Sequence, residues 1–174
     1  METFRRVLNY LARLEWKELK QHVCLFCDRK NFEEIVYDDE EIIAIKNRTA
    51  AGKHHWLLMP ISPPFRHIRD IEALEAADIP LLTKFEKTKQ RLLSQHCADV
   101  SPSDVHSGYH RGRRVLIGNI YYPDTISIHH IHLHIIVEPR PLLKFFKYPP
   151  WLPLMWKSDR TVMAELQRKK ERQL

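Results

Sequence analysis

Between Ile126 and Val137 the chain reads Ile, Ser, Ile, His, His, Ile, His, Leu, His, Ile, Ile, Val. A stretch so rich in β-branched and large apolar residues reads as a strand, and a strand sends successive side chains to opposite faces. His130, His132 and His134 then share one face, while Ile131, Leu133 and Ile135 point the other way into apolar packing. An imidazole in such surroundings loses its hydration unless it is hydrogen-bonded, liganded or reacting. Any fold for this chain must therefore bring polar partners to one face of its most apolar strand.

Two chemistries use such a row. A metal site needs neutral imidazoles converging on one ion, with further ligands from another element. Covalent catalysis needs one imidazole nucleophile whose second nitrogen is held protonated by a fixed acceptor. The rhythm favours the second, with His132 facing an electrophile and His130 and His134 supplying supporting hydrogen bonds.

The rest of the chain reads as a mixed α+β domain with one twisted antiparallel sheet of about five strands, a long central helix, an extra N-terminal helix and a C-terminal helix. Phe4, Val7, Leu8, Leu11 and Leu14 recur at helical spacing, which predicts an amphipathic helix from Glu2 to about His22. Ile35–Tyr37 and Ile42–Ile45 flank an acidic turn and predict a hairpin. His55–Met59 predicts a third strand, stopped by Pro60. Asp78 with Pro80 starts the central helix, and Leu81, Leu82, Phe85, Leu92 and Leu93 carry it to about His96. Val105–His110 and Arg114–Ile120 have strand composition and are joined by a turn at Arg111 and Gly112. A proline-broken aromatic stretch follows the histidine strand, and a final helix starts near Asp159.

With 174 residues, 44% of them apolar, the chain can bury a core as one domain, which excludes global disorder. No apolar run is long enough to span a bilayer and the amino end is too charged for a signal-peptide core, so no membrane partner is expected and a cytoplasmic or nuclear location is. Cys24, Cys27 and Cys97 form no closed disulfide framework, and Cys24-x-x-Cys27 reads as half a metal site or a redox pair. The formal charge of +6 resides wholly beyond position 139: Arg140, Lys144, Lys147, Lys157, Arg160, Arg168, Lys169, Lys170 and Arg172 face only Asp159, Glu165 and Glu171. That basic C-terminus suits a helix end or contact with nucleic acid.

The run His130, Ile131, His132, Leu133, His134, Ile135, Ile136 resembles the signature of the histidine triad superfamily, and Ser127 stands three residues before it as in the Hint branch. Cys24, Leu25, Phe26, Cys27 resembles the amino-terminal Cys-x-Phe-Cys of many members. Lys53 to Pro60 resembles their His-φ-φ-φ-φ-Pro strand, and His67-Ile68 resembles the following His-Ile. The tail from Lys144 through Trp156 to Leu166 is similar to the third histidine triad nucleotide-binding protein and its fungal relatives. The resemblance divides the chain into an N-terminal extension over 1–23, a histidine triad domain over 24–166 and a basic tail over 167–174.

The resemblance implies a nucleotide hydrolase or transferase, in particular a nucleoside (adenosine) 5'-monophosphoramidase. His132 would attack the α-phosphorus and become nucleotidylated, with Ser127, His55, His130 and His134 as the remaining catalytic set and no catalytic metal required. Leu25, Phe26, Ile45, Asn47, Asn119, Ser127 and His134 would bind the AMP-like purine nucleotide. Asn47 departs from the family's usual aspartate and loses a charge-assisted bond to the ribose. Cys24, Cys27, His67 and His130 would hold a structural zinc, although the loop from Ile61 to Arg66 is longer than the family's. A homodimer with joined sheets is implied as well. Alternatives are an aprataxin-like hydrolase of DNA adenylates that binds nucleic acid, and a dinucleoside polyphosphate hydrolase.

Overall fold

The computed structural model describes residues 24–61, 64–112, 114–117, 120–122 and 128–173. The helix expected over Glu2 to His22 lies outside them, as do Ser127 and Asn119.

The predicted hairpin forms from β1 (Ile35–Asp38) and β2 (Ile42–Lys46), antiparallel. Its turn is set by Asp39, whose carboxylate accepts the backbone N–H groups of Glu41 and Ile42, each at 2.8 Å. β3 (Gly52–Pro60) runs beside β2. α1 (Ile79–His96) starts at Asp78 with Pro80 in its first turn, where the missing N–H has no intrahelical partner to lose. β4 (Val105–His110), β5 (Arg114–Ile117), β6 (Ile120–Tyr122) and β7 (Leu133–Pro139) follow. A short α2 (Pro141–Phe146), β8 (Trp156–Ser158) and α3 (Asp159–Glu171) complete the order. α3 crosses the 166/167 position without a break.

The main sheet has six strands in the order β1-β2-β3-β7-β4-β8, every neighbouring pair antiparallel. Alternation along β3 and β7 sorts the two faces. Trp56 and Leu58 with Leu133, Ile135 and Val137 meet Leu81, Phe85 and Leu92 of α1 and Val162 of α3. Each such side chain, fully buried, contributes about 1.5–3 kcal/mol. A buried ion pair ties the two helices together, because the Lys89 ammonium of α1 meets the Asp159 carboxylate that opens α3, and Asp159 also accepts the Ser107 hydroxyl at 2.8 Å. The opposite face carries His55 and His134, with Ala51, Ile136, Tyr148 and Trp156 as an apolar floor.

Three points of the sheet refine the sequence reading, the last as a correction. The sheet has six strands rather than about five, because Trp156–Ser158 leaves the proline-broken stretch to pair with β4. Gly108 makes room for it: a Cβ there would lie 2.3 Å from the Lys157 carbonyl oxygen and 2.8 Å from the Trp156 ring. Second, the segment from Arg114, whose pairing the sequence leaves open, does not pair with β4, whose two sides are taken by β7 and β8; β5 pairs with β6 in a separate two-stranded ribbon. Third, the described residues from Ile128 to His132 are not part of the histidine strand, which runs from Leu133 to Pro139. The Ile131 N–H donates to the Ile68 carbonyl at 2.7 Å, so the chain is tied to the segment after β3 before it joins the sheet.

Candidate active site and metal centre

Of the three alternating histidines, only His134 lies within β7; His130 and His132 sit on the bend leading into it. The three rings therefore do not form one row. His132 and His134 are neighbours, with ring centroids 4.7 Å apart, whereas the His130 ring turns toward the cysteines.

His132 is buried, and its Nδ1–H donates to the main-chain carbonyl of His130 at 2.7 Å. A carbonyl can only accept, so the proton is assigned to Nδ1 and the lone pair to Nε2. Burial lowers the pKa of His132, which keeps that lone pair free near neutral pH.

A second chain of hydrogen bonds sets His134. The Ala51 N–H donates to His55 Nδ1 at 3.2 Å, which leaves the His55 proton on Nε2. That Nε2–H donates to His134 Nδ1 at 2.9 Å and so places the His134 proton on Nε2. His134 Nε2 is buried with no partner. The arrangement thus supplies a lone pair on His132 and, on the neighbouring ring, a donor with nothing to bond. Burial pushes His55 down to about 4 and His134 well below the usual imidazole range.

Sequence reading missed a further imidazole. His110 stands on β4 with its ring 5.0 Å from that of His134 and 5.0 Å from that of Tyr148. Its Nδ1 is buried without a partner, as is Nε1 of Trp156. Burial, then the charge of His132, pushes it down to about 3. With Asp70 and Ile128 it borders the same hollow as His130 and His132. The signal was present, since His106, Gly108 and His110 alternate along Val105–His110 and so share the face that β4 turns to the site.

Of the expected nucleotide-binding residues, Phe26 and Ile45 pack together on an apolar cluster of Ile43, Leu57 and Met59, which also takes Ile128. Asn47 donates its backbone N–H to the His55 carbonyl at 2.8 Å, and its amide nitrogen lies 3.2 Å from His55 Nε2. It therefore sits beside the histidine pair. Leu25 opens the 3-10 turn Leu25–Cys27.

That turn brings the two cysteines to the remaining histidines. Sγ of Cys24 is 3.4 Å from His130 Nδ1, and Sγ of Cys27 is 3.5 Å from Nδ1 of both His130 and His67. All four ligand atoms lie within 4.8 Å of one another, so the set could hold a metal ion. The longer loop before His67 does not keep it away. The His130 Nε2–H donates to the Pro60 carbonyl at 2.9 Å, which leaves the Nδ1 lone pair aimed at the sulfurs. Outer carbonyls commonly orient metal-binding histidines in this way. Burial, reinforced by Cys24, pushes the Cys27 thiol up to about 11, a cost that a bound cation reverses. Two thiols and two imidazoles in tetrahedral reach are a donor set suited to zinc.

His130 thus has two tasks. Its ring belongs to the cysteine cluster rather than to the ring of donors expected around the phosphate, and its main-chain oxygen holds His132.

Residues 20–145 match the family described as the scavenger mRNA decapping enzyme C-terminal binding domain. The chain is 26% identical to aprataxin of Danio rerio over 115 residues, which is 65% of this chain but 30% of that protein. It is 26% identical to adenosine 5'-monophosphoramidase HINT3 of Xenopus tropicalis over 124 residues, 68% of this chain and 70% of that one. In structure it is similar to a HIT family hydrolase from Legionella pneumophila Philadelphia 1, with a TM-score of 0.50 at 21% identity, covering 68% of this chain and 95% of the other.

Proposed function

Since the chain belongs to the family of the scavenger mRNA decapping enzyme C-terminal binding domain, within the histidine triad superfamily, we propose that it hydrolyses nucleotides through a nucleotidyl-His132 intermediate. The substrate class is a nucleoside 5'-monophosphate joined through phosphorus to an amine, in line with the similarity to an adenosine 5'-monophosphoramidase. The observation that carries this reading is the 2.7 Å bond from His132 Nδ1 to the His130 carbonyl, which leaves Nε2 as the nucleophile.

In the first step Nε2 forms a bond to the α-phosphorus and the phosphorus–nitrogen bond breaks, the amine leaving with a proton taken from water. In the second, water attacks phosphorus and the bond to Nε2 breaks, releasing the nucleotide and returning a proton to solvent. His134 Nε2–H, otherwise unbonded, donates to a non-bridging oxygen as charge builds there. His55 acts one place behind, holding His134 in the tautomer that has this proton. Phe26 and Ile45 offer the base an apolar wall, and Asn47 stands where it can reach the ribose.

The cysteine cluster fits a structural zinc held by Cys24, Cys27, His67 and His130. When bound, the ion would fix the position of His130, and with it the carbonyl that His132 leans on. No step of the reaction passes through it.

A second reading takes an adenylated polynucleotide end as the substrate, favoured by the similarity to aprataxin and by the basic residues beyond position 139. The test is rapid quenching in alkaline denaturant during turnover of an adenosine phosphoramidate, because acid cleaves a phosphorus–nitrogen bond to histidine, then mass spectrometry of the peptide spanning Ile128 to Val137. A nucleotide adduct absent from His132→Ala and His132→Asn supports the mechanism, and its absence from the unaltered protein during turnover refutes it. Comparing kcat/KM for the phosphoramidate with that for an adenylated oligonucleotide decides between the two substrates.

A further inference from the structure

The two chemical steps leave one buried acceptor on the histidine face unused. Three rings pack against one another there: His110 lies 5.0 Å from His134 and 5.1 Å from Trp156, and His134 lies 5.6 Å from Trp156, centroid to centroid. Each has a buried polar atom without a partner, namely His110 Nδ1, His134 Nε2 and Trp156 Nε1. Such atoms are uncommon in a folded interior, because each keeps the cost of its lost hydration. Two of them are donors. His134 Nε2 has the proton that His55 assigns to it, and an indole nitrogen can only donate.

His110 is the opposite. The bond between its ring and the main chain of Met155 favours the protonated ring, as a bond to a carbonyl does, so the ring donates to the Met155 oxygen. Nδ1 has no partner, so the donor is Nε2 and Nδ1 is left with a lone pair. The strand pair fixes this arrangement: His110 stands opposite Trp156 in the β4–β8 register, and the Arg111 N–H donates to the same Met155 carbonyl at 3.0 Å. Burial, then the charges of His132, Lys147 and His55, keeps the ring neutral, so the lone pair is present throughout the physiological range. A lone pair repels the oxygens of a phosphate and pairs only with an O–H or N–H. His110 also borders the hollow that holds His132.

We propose, on the basis of the nucleotidyl-His132 reading, that His110 is the catalytic base of the second step, its Nδ1 accepting a hydrogen bond from the attacking water and then its proton. The water oxygen bonds to phosphorus, one proton passes to Nδ1, and the electron pair of the breaking phosphorus–nitrogen bond returns to His132 Nε2. The His110 imidazolium then gives its proton to solvent. Desolvation opposes a lone cation at this position, but an anionic phosphoryl group in the hollow favours one, so the ring becomes more basic when the intermediate is present. The first step has no use for this acceptor, since His132 is itself the nucleophile. His134 and His110 thus divide the work, one donating to a phosphoryl oxygen and the other accepting from water.

The two steps are followed separately in the full chain and in His110→Asn. An adenosine phosphoramidate with a fluorogenic amine reports the first step by amine release, and mass spectrometry after alkaline quenching counts the His132 adduct. His110→Asn should release a burst of amine and then stall, hydrolysing its adduct on the order of 100-fold more slowly than the parent. Hydroxylamine, a neutral nucleophile that attacks phosphorus without a base, should discharge the stalled adduct as the nucleotidyl hydroxylamine. His110→Phe, which keeps a ring but no acceptor, should behave alike, circular dichroism confirming that each variant is folded. Slow amine release with no build-up of adduct would assign His110 to the first step and overturn the proposal. So would an adduct hydrolysed at the parent's rate, or one that hydroxylamine leaves in place. Turnover by the parent with no adduct in it or in either variant would instead remove the nucleotidyl intermediate, and the role of His110 with it.

Discussion

Replacing His110 by asparagine should make the protein more resistant to acid. In the fold, burial holds His110 down to about 3 and His55 to about 4, whereas in the unfolded chain each takes a proton near the ordinary value of 6.5. Between these limits the unfolded state binds more protons, so stability is full above pH 6.5 and is lost as pH falls toward the folded values. Each of these histidines costs about 1.4 kcal/mol per pH unit in that window, or about 2 kcal/mol by pH 5, and the pair about 4 kcal/mol. Burial shifts His132 and His134 in the same direction. His110→Asn removes one titrating ring whose Nδ1 has no partner to lose. Urea unfolding followed by circular dichroism from pH 7.5 to 4.5, at equal zinc loading, should show the variant gaining on the parent by about 2 kcal/mol between pH 6.5 and 5. Parallel profiles would mean that His110 takes up its proton in the fold as readily as in a peptide, and the buried neutral site would be refuted.

Asp159→Ala leaves the buried Lys89 ammonium with only the half-exposed Glu86 carboxylate at 2.6 Å, so it should cost about 2–3 kcal/mol in urea unfolding, less than the loss of a sole partner; a loss below 1 kcal/mol would show the pair to be solvated. Gly108→Ala pushes a methyl to 2.3 Å from the Lys157 carbonyl oxygen and should release β8, seen as new protease cleavage between Leu152 and Arg160. An unchanged digest would place β8 elsewhere. Dialysis should leave stoichiometric zinc on the unaltered chain but not on Cys24→Ser with Cys27→Ser, whose thermal midpoint should be lower. Equal zinc content in the two would dismiss the cluster.

The helices and the hairpin were legible because their signals are local. Asp78 and Pro80 mark the start of α1, and the spacing of Leu81, Phe85 and Leu92 fixes its buried side. Asp39 makes the turn that the acidic run predicts. What could not be read depends on distant partners. β8 is three residues beside several prolines, and only the gap above Gly108 makes it a strand. The histidine run alternates as a strand does, yet Ile131 gives its N–H to Ile68, a carbonyl more than sixty positions earlier. Hence His132 and His134 came together as the pattern suggests, while the His130 ring went to Cys24 and Cys27. Of the four positions that could hold a metal, Cys24 and Cys27 were legible from their spacing as half a site, but His67 and His130 only through a family resemblance, since they are far in sequence from the cysteines. His110 went unnoticed because His106 and His110 are separated by Gly108 and so form no unbroken alternating run.

The acceptor that orients His132 is a peptide oxygen, and every amino acid has one. Substitution at position 130 therefore cannot delete it; it can only let it wander, once the grip of the sulfurs and of Pro60 on the side chain is gone. Damage to the cysteines would then be felt as a misaimed ring rather than a missing one. Such variants would keep their hold on nucleotide while turning it over poorly, and chilling would restore them in part, where no treatment could rescue a chain without His132.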